Sequence, residues 1–438
     1  MATETPLILI IVGITGDLAK RKLLPAIAAI HKAGLFPAKF RVLGVTRQSD
    51  VSTDDLLSEL TDSTYMKEHL SLLTMDVLNT SDYIRLTSEL AEIERGWGGA
   101  AQRLFYLSVP PLASEAIIEH LGTSGLAAAP DTKLLIEKPF GFDQASAAEL
   151  VTHIDKHFTS SQVYRIDHYL AKEMAQNLIV FRERNPLFRG TWNKDCIERI
   201  EISAIEEIGI EGRSHFYEQT GALRDLVQSH LLQLAALILM PLPQKAELRE
   251  IPGRRLRALQ SLRLSDVEPV RRGQYIGYRD EVRNPSSSVE TFVAFTLISD
   301  DPFFIGVPVT LMTGKRMGKK ATEVRVVYKT FEEKGSNTLV LRLQPNEGVS
   351  LSLYFKRPGY TSAVEERTFD FSYASSTSVL AEAYEKVLVD AISGDHDLFV
   401  SSDEVLESWR IIAPIQEAWA MSSGDLTLYE PGSDPTVS

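Results

Sequence analysis

Cysteine is almost missing from this chain: 438 residues hold one, Cys196. One thiol makes no internal disulfide, so the sequence suits a reducing compartment. A lone cysteine here reads as a small apolar filler rather than a nucleophile. Long apolar runs are missing too. The most apolar later stretch, LLQLAALILM from Leu231 to Met240, is too short to cross a bilayer. The N-terminus, MATETPLILIIVG, has no basic segment ahead of its apolar run and reads as a strand, not a signal peptide. Positive charge is in deficit, with 46 Lys and Arg against 59 Asp and Glu and a formal net charge of -13. Such a surface offers no bulk field to a nucleic-acid backbone or an anionic membrane. A soluble, cytoplasmic protein that binds neither is expected. Any anionic ligand must be held by a local cluster of Lys, Arg and His.

What is present is globular: 44% hydrophobic and 24% charged residues. The length exceeds one ordinary core, so two domains are expected. Over the first 160 or so residues, apolar β-branched runs alternate with helix-length segments. The runs are PLILIIVG, KFRVLGVTR, LSLLTMDV, QRLFYLSVP and TKLLIEKPFG. That alternation predicts βαβ units and a parallel sheet. Later the pattern changes. A helix is expected over Lys172 to Arg184, a strand at IERIEISAIEE and a long helix from Gly221 to Met240. From Thr291 six strand candidates follow one another, which predicts a large antiparallel sheet. Helices close the chain over Leu380 to Ile392 and Asp403 to Ala420. NPSSSVE reads as a surface turn, and the tail after Gly424 as extended or loose. The expected domains are residues 1–165 and 166–438.

The stretch VGITGDLAKRK follows the first strand and opens the first helix. Gly13 and Gly16 permit a tight turn and close backbone approach, and Ala19 lets the helix pack near the strand. This is a variant of the dinucleotide loop, in which a helix N-terminus receives a pyrophosphate. An ordinary βα turn is the competing reading. The second strand ends in Thr46 and Arg47, with no acid until Asp50. A guanidinium suits a 2′-phosphate, which favours NADP over NAD; a solvated arginine is the alternative. Lys138 follows the fifth strand, where open parallel sheets bind ligands.

Three later clusters carry chemistry: Glu206 and Glu207 at a strand end; Asp225, Gln228 and His230 on an apolar helix; and Lys315, Arg316, Lys319 and Lys320 in LMTGKRMGKK. On an α-helix, Asp225 and His230 stand about 140° apart and splay. A base at His230 therefore needs its orienting acid from elsewhere. RIDHYLAKE, Arg165 to Glu173, supplies an acid at Asp167. It also supplies three donors suited to a phosphate at His168, Tyr169 and Lys172. No cluster has metal-ligand spacing.

With these motifs in place, the sequence resembles the glucose-6-phosphate dehydrogenase family from about Ile10 to Tyr429. The shared motifs are GITGDLAKRKLLPA, FYLSVPP, EKPFG, RIDHYLAKE, GALRDLVQSHLLQ and GVPVTLMTGKRMGKKATEV. The resemblance implies a Rossmann-like cofactor domain plus a β+α domain built on a large antiparallel sheet. It also implies association into a homodimer or homotetramer through that sheet. The implied reaction oxidises glucose 6-phosphate to its lactone with NADP as hydride acceptor, NAD being a second candidate, without a metal. By the same resemblance His230 is the base and Asp167 its acidic partner. His168, Tyr169 and Lys172 hold the phosphate, and Lys138 lies near sugar and nicotinamide. Glu206 and Asp225 hold sugar hydroxyls, with Lys315 and Lys320 on the far side. Gly13, Thr15, Gly16, Asp17, Leu18, Lys22, Arg47 and Tyr106 surround the cofactor. The family's usual Gly and Asn are Ala171 and Ser229 here, and the connection from Pro241 to Pro269 is short. Two other readings compete: a dehydrogenase for another sugar, which the phosphate set argues against, and a non-catalytic NADP-binding regulator, which would not need Asp167, His230 and Lys138 together.

Overall fold

The computed structural model describes residues 5–58, 60, 64–129, 131–242, 251–330, 335–373, 381–421 and 425–434. It divides into two units, Met1–Ala171 with Ala381–Ser402, and Lys172–Leu380 with Asp403–Ser438. The division expected after residue 165 thus falls early. The helix near residue 383 belongs to the first unit, not the second; its expected start, Leu380, lies outside the described residues. The reason is packing. Helix Ala383–Ser393 buries Val387, Leu388, Ala391 and Ile392 in the same core as Leu7, Ile27 and Leu104.

The first unit is built on β1 (Leu7–Val12), β2 (Phe40–Thr46), β3 (Leu70–Thr74), β4 (Gln102–Leu107), β5 (Thr132–Ile136) and β6 (Val163–Ile166). They run in the order β3-β2-β1-β4-β5-β6, all parallel. The pair Phe399–Val400 adds an antiparallel edge on β6. All six residues of β1 are buried, as a strand covered on both faces requires. The order reverses between β1 and β4, which opens a crevice at their carboxyl ends.

The second unit holds a ten-stranded sheet. Its strands are β7 (Ile197–Ile205), β8 (Leu262–Leu264), β9 (Arg271–Tyr275), β10 (Phe292–Ser299), β11 (Val309–Gly314), β12 (Ala321–Tyr328), β13 (Thr338–Gln344), β14 (Gly348–Lys356), β15 (Val364–Ser372) and Leu426–Tyr429. Most pairs are antiparallel, as expected, but two are not. β7 runs parallel to β11, and Leu426–Tyr429 runs parallel to β9. Of the tail, expected to be extended or loose, Leu426–Tyr429 is extended and paired. The NPSSSVE turn is also partly interior: Ser287 is buried and its hydroxyl donates to Glu218 at 2.7 Å. Of the connection Pro241–Pro269, residues 243–250 lie outside the described residues; helix Ile251–Gln260 and β8 follow.

The helical run Ser214–Leu239 spans 26 residues and is apolar enough to cross a membrane, yet 94% of its apolar window is buried inside the protein. It is a core helix. It breaks at Gly221, whose φ of +61° is costly for any residue with a Cβ. Elsewhere in this unit Arg255 donates from Nε to Glu404 Oε1 at 2.7 Å, with both side chains sealed from water. Removing one partner leaves a buried charge without its counter-ion. Glu404→Ala should cost about 3–5 kcal/mol of stability, read as a lower urea midpoint at unchanged slope. A loss below 1 kcal/mol would show that water reaches Arg255.

Candidate active site

In the first unit, the crevice is a cavity of about 520 Å³. The loop after β1 closes one side. Gly13 turns at φ +88°, and a Cβ there would meet the Ser108 carbonyl oxygen at 2.3 Å. Only glycine fits. Gly13 and Ile14 both donate to the Val45 carbonyl, at 3.0 and 3.2 Å, which ties the loop to β2. Ala19, fully buried, opens a helix that begins with a π turn and continues over Leu24–Lys32. Thr15 and Thr46 bring their hydroxyls within 3.4 Å, and Thr46 also accepts from the Gln48 N–H. That anchors the end of β2 and leaves exposed Arg47 on the cavity wall.

Of the residues expected around a cofactor, Gly13, Thr15, Gly16 and Arg47 line this cavity. Asp17 and Lys22 stand outside its lining, ion-paired to Arg21 and Glu382 at 3.5 and 3.6 Å, and Leu18 packs against the core. Tyr106 also stands outside this lining. Its ring is fully buried in the core, and its hydroxyl donates to Glu137 at 2.5 Å. The apolar wall from Val45, Leu78, Val109 and Leu112 was not foreseen. Apolar walls, a guanidinium and a glycine turn before a helix N-terminus fit an adenine nucleotide with its phosphates.

At the carboxyl ends of β5 and β6 stands a second group of the same unit. Lys138 directly follows Glu137. Glu137 is half-buried and hydrogen-bonded to Tyr106 and Tyr384; desolvation pushes its carboxyl up to about 7. Asp167, buried, accepts from the Tyr169 N–H at 2.9 Å. The His168 ring lies edge-on to Tyr169 at 5.1 Å and parallel to Tyr384 at 6.4 Å. Tyr384 had no signal in the sequence, because it arrives from the returning helix. Ala171 adopts no left-handed backbone and is buried in the core, so this turn has no need of glycine.

The second unit carries the remaining residues. Lys172 flanks helix Glu173–Arg184, with its carbonyl accepting from Ala175 and Gln176. Ile205 of β7 pairs with Gly314 of β11, so the next residues, Glu206 and Lys315, leave two parallel strands side by side. Their side chains form an ion pair, and the Lys315 ammonium sits 5.5 Å above the Tyr217 ring. Lys320 is exposed and Glu207 likewise. Asp225 and His230 are both buried. They do not splay as an α-helix requires, because Leu223–Leu231 is wound as a π-helix. Bonding from i to i+5 puts residues five apart in succession on one face. Ser229 turns its hydroxyl back onto the Asp225 carbonyl at 3.2 Å. Buried Glu290 accepts from the Leu223 N–H at 2.9 Å, seating a carboxyl at the start of this helix.

Glu137 gives a pH signature. Its carboxyl has an ordinary value of 4.5 and titrates at about 7 in the folded protein. Below pH 4.5 it is neutral in both states; as pH rises through 7, ionisation costs the folded state stability. Relative to Glu137→Gln, the wild type should lose roughly 3 kcal/mol between pH 4.5 and 8, read from urea midpoints. A constant gap over that range would show that Glu137 ionises freely.

Residues 10–177 match the family model described as glucose-6-phosphate dehydrogenase, NAD binding domain, and residues 179–437 match its C-terminal domain. The chain is 36% identical to glucose-6-phosphate 1-dehydrogenase of Chlamydia muridarum, over 95% of this chain and 90% of that one. It is 34% identical to the enzyme of that name from Streptococcus pneumoniae, over 98% and 93%. A solved glucose-6-phosphate dehydrogenase in complex with glucose 6-phosphate superposes with a TM-score of 0.92 at 27% identity, over 100% of this chain and 98% of that one. The enzyme from Mycobacterium avium gives 0.85 at 30%, over 98% and 95%. The first unit accordingly takes a nicotinamide dinucleotide as cofactor, and with both halves of the family matched in order, the chain belongs to the glucose-6-phosphate dehydrogenase family.

Proposed function

We propose that this protein is an NADP-dependent glucose-6-phosphate 1-dehydrogenase, acting on the anomeric carbon of a hexose phosphate. The observation that carries this reading is the match of the chain, in order, to both domains of the family over nearly its whole length. The substrate is a hemiacetal. Its C1 hydroxyl must lose a proton while C1 loses a hydride, and the product is a lactone.

His230 takes the hydroxyl proton. Asp167 holds the imidazole and stabilises the imidazolium that results. His168, Tyr169 and Lys172 bind the phosphate through charge-assisted and neutral donors. Glu206 and Asp225 accept from sugar hydroxyls, while Lys315 and Lys320 cover the far side. Lys138, at the carboxyl end of β5, lies near both sugar and nicotinamide. A nicotinamide dinucleotide, when bound, supplies the hydride acceptor. The loop of Gly13, Thr15 and Gly16 holds its phosphates, with Asp17, Leu18 and Lys22 beside them at the helix start. Arg47 is assigned to the 2′-phosphate. The apolar residues that β15 exposes at the edge of the large sheet, Val364, Phe369 and Phe371, support association into a dimer or tetramer through that sheet.

Steady-state assays with glucose 6-phosphate, other hexose phosphates and glucose, each with NADP and NAD, test the whole reading. Absence of turnover with every one of them points to the regulator instead. His230→Asn should lower kcat about 10²–10⁴-fold with little change in substrate affinity; unchanged turnover removes His230 from the mechanism. Arg47→Ala should raise the KM for NADP about tenfold or more and leave that for NAD nearly unaltered. Equal effects on the two would sink the 2′-phosphate assignment.

A further inference from the structure

We propose that Tyr429, on the C-terminal strand, is a positioning residue for Lys315. The proposal rests on the reading above, in which Lys315 binds the sugar phosphate. Lys315 is the first residue beyond β11 and only 3% exposed. Its ammonium is aimed by Glu206 and by the Tyr217 ring. Side-chain partners alone do not fix a flexible stem; its backbone must be fixed too.

The backbone of Lys315 is held on both sides. Its N–H donates to the Thr291 carbonyl at 2.9 Å. Its carbonyl accepts from the Tyr429 hydroxyl at 2.7 Å. The Thr291 hydroxyl lies 2.9 Å from that of Tyr429 and accepts from the Tyr275 N–H at 2.9 Å. The Tyr429 hydroxyl has one proton and two carbonyls in reach, Lys315 at 2.7 Å and Thr291 at 3.3 Å; with the proton on the nearer, the relay runs from the Tyr275 N–H to the Thr291 hydroxyl, on to the Tyr429 hydroxyl and then to the Lys315 carbonyl. Such chains strengthen each link.

The next residue needs this support. Arg316 has φ +53°, a left-handed backbone without glycine. Its N–H donates to the Ile208 carbonyl at 3.0 Å, and its carbonyl accepts from the Gly432 N–H at 2.7 Å. The strand Leu426–Tyr429 and the turn that follows it therefore grip two consecutive residues of the Lys315 turn. The strand itself is fastened to β9, with Leu428 opposite Gln274 and an Arg272–Asp425 ion pair at its start. A Cβ at Gly273 would stand 3.1 Å from the Tyr429 ring, so glycine there admits the ring.

A core tyrosine acts through its ring; here the hydroxyl does the holding, and Tyr429→Phe separates the two. Kinetics of Tyr429→Phe, Lys315→Ala and the double variant form the test. Tyr429→Phe should raise the KM for glucose 6-phosphate about three- to tenfold, with kcat and the KM for NADP within about twofold of wild type. In the Lys315→Ala background the same change should add nothing. Thr291→Val, which cuts the relay one link earlier, should reproduce the rise and keeps the test open if Tyr429→Phe fails to fold. An unaltered KM in Tyr429→Phe and Thr291→Val while Lys315→Ala raises it overturns the inference. So does an equal rise with and without Lys315, which marks a general packing defect. If Lys315→Ala itself leaves KM unchanged, the substrate role of Lys315 falls, and the inference falls with it by a separate route.

Discussion

A charge withdrawn from water has to be met by an opposite charge or by hydrogen bonds, and both units are organised around doing so. Glu206 and Lys315 meet because two strands run parallel and end at the same level. Glu290 is buried where the N–H of Leu223 stands ready, and a helix N-terminus is the place where a carboxyl is best tolerated. That arrangement dictates a glycine. At Gly221 a Cβ would stand 2.4 Å from a Glu290 carboxyl oxygen. Arg182 is handled in the opposite sense. Burial lowers its guanidinium to about 9, and it donates to the carbonyls of Leu237 and Met240, where the same helical run ends. The helix that carries Asp225 and His230 is thus closed by an acid at one end and a base at the other.

Placing the candidate functional groups at strand ends follows from the same constraint. Inside a strand, backbone groups are consumed by the ladder and side chains face packed layers. Just past the last paired residue both are released. Gly13, Arg47, Lys138, Asp167, Glu206 and Lys315 each stand within a residue or so of a strand's carboxyl end. In the first unit that is where a doubly wound sheet reverses order. In the second, the parallel pairing of β7 with β11 creates the equivalent position inside a mostly antiparallel sheet.

Much of this was legible in the residues. Gly13, Gly16 and Ala19 announce their loop because backbone geometry admits few alternatives. The apolar run of β1 follows from burial on two faces, and the alternation of β13 from burial on one. What stayed hidden depends on distant packing. Tyr106 carries an aromatic ring in a motif beside the cofactor loop, yet its ring turns into the core. Tyr384 reaches Glu137 from more than 200 residues away, on a helix whose sequence shows only amphipathicity. The tail could be read only as extended or loose, because a short strand of Leu, Thr and Tyr, followed by Pro and Gly, has no partner visible nearby in the sequence.

The π winding of Leu223–Leu231 shows why the spacing of Asp225 and His230 misled. Propensity and period are read on the assumption of 3.6 residues per turn. A π-helix is disfavoured on its own and persists where tertiary contacts over-determine it. Here every residue of that segment except Arg224 is buried. The sequence around it is an ordinary apolar helix, so nothing local marks the change. The packing that enforces the wider turn is also what puts an acid and an imidazole on one face. The two features are one fact about the core, and only the fold displays it.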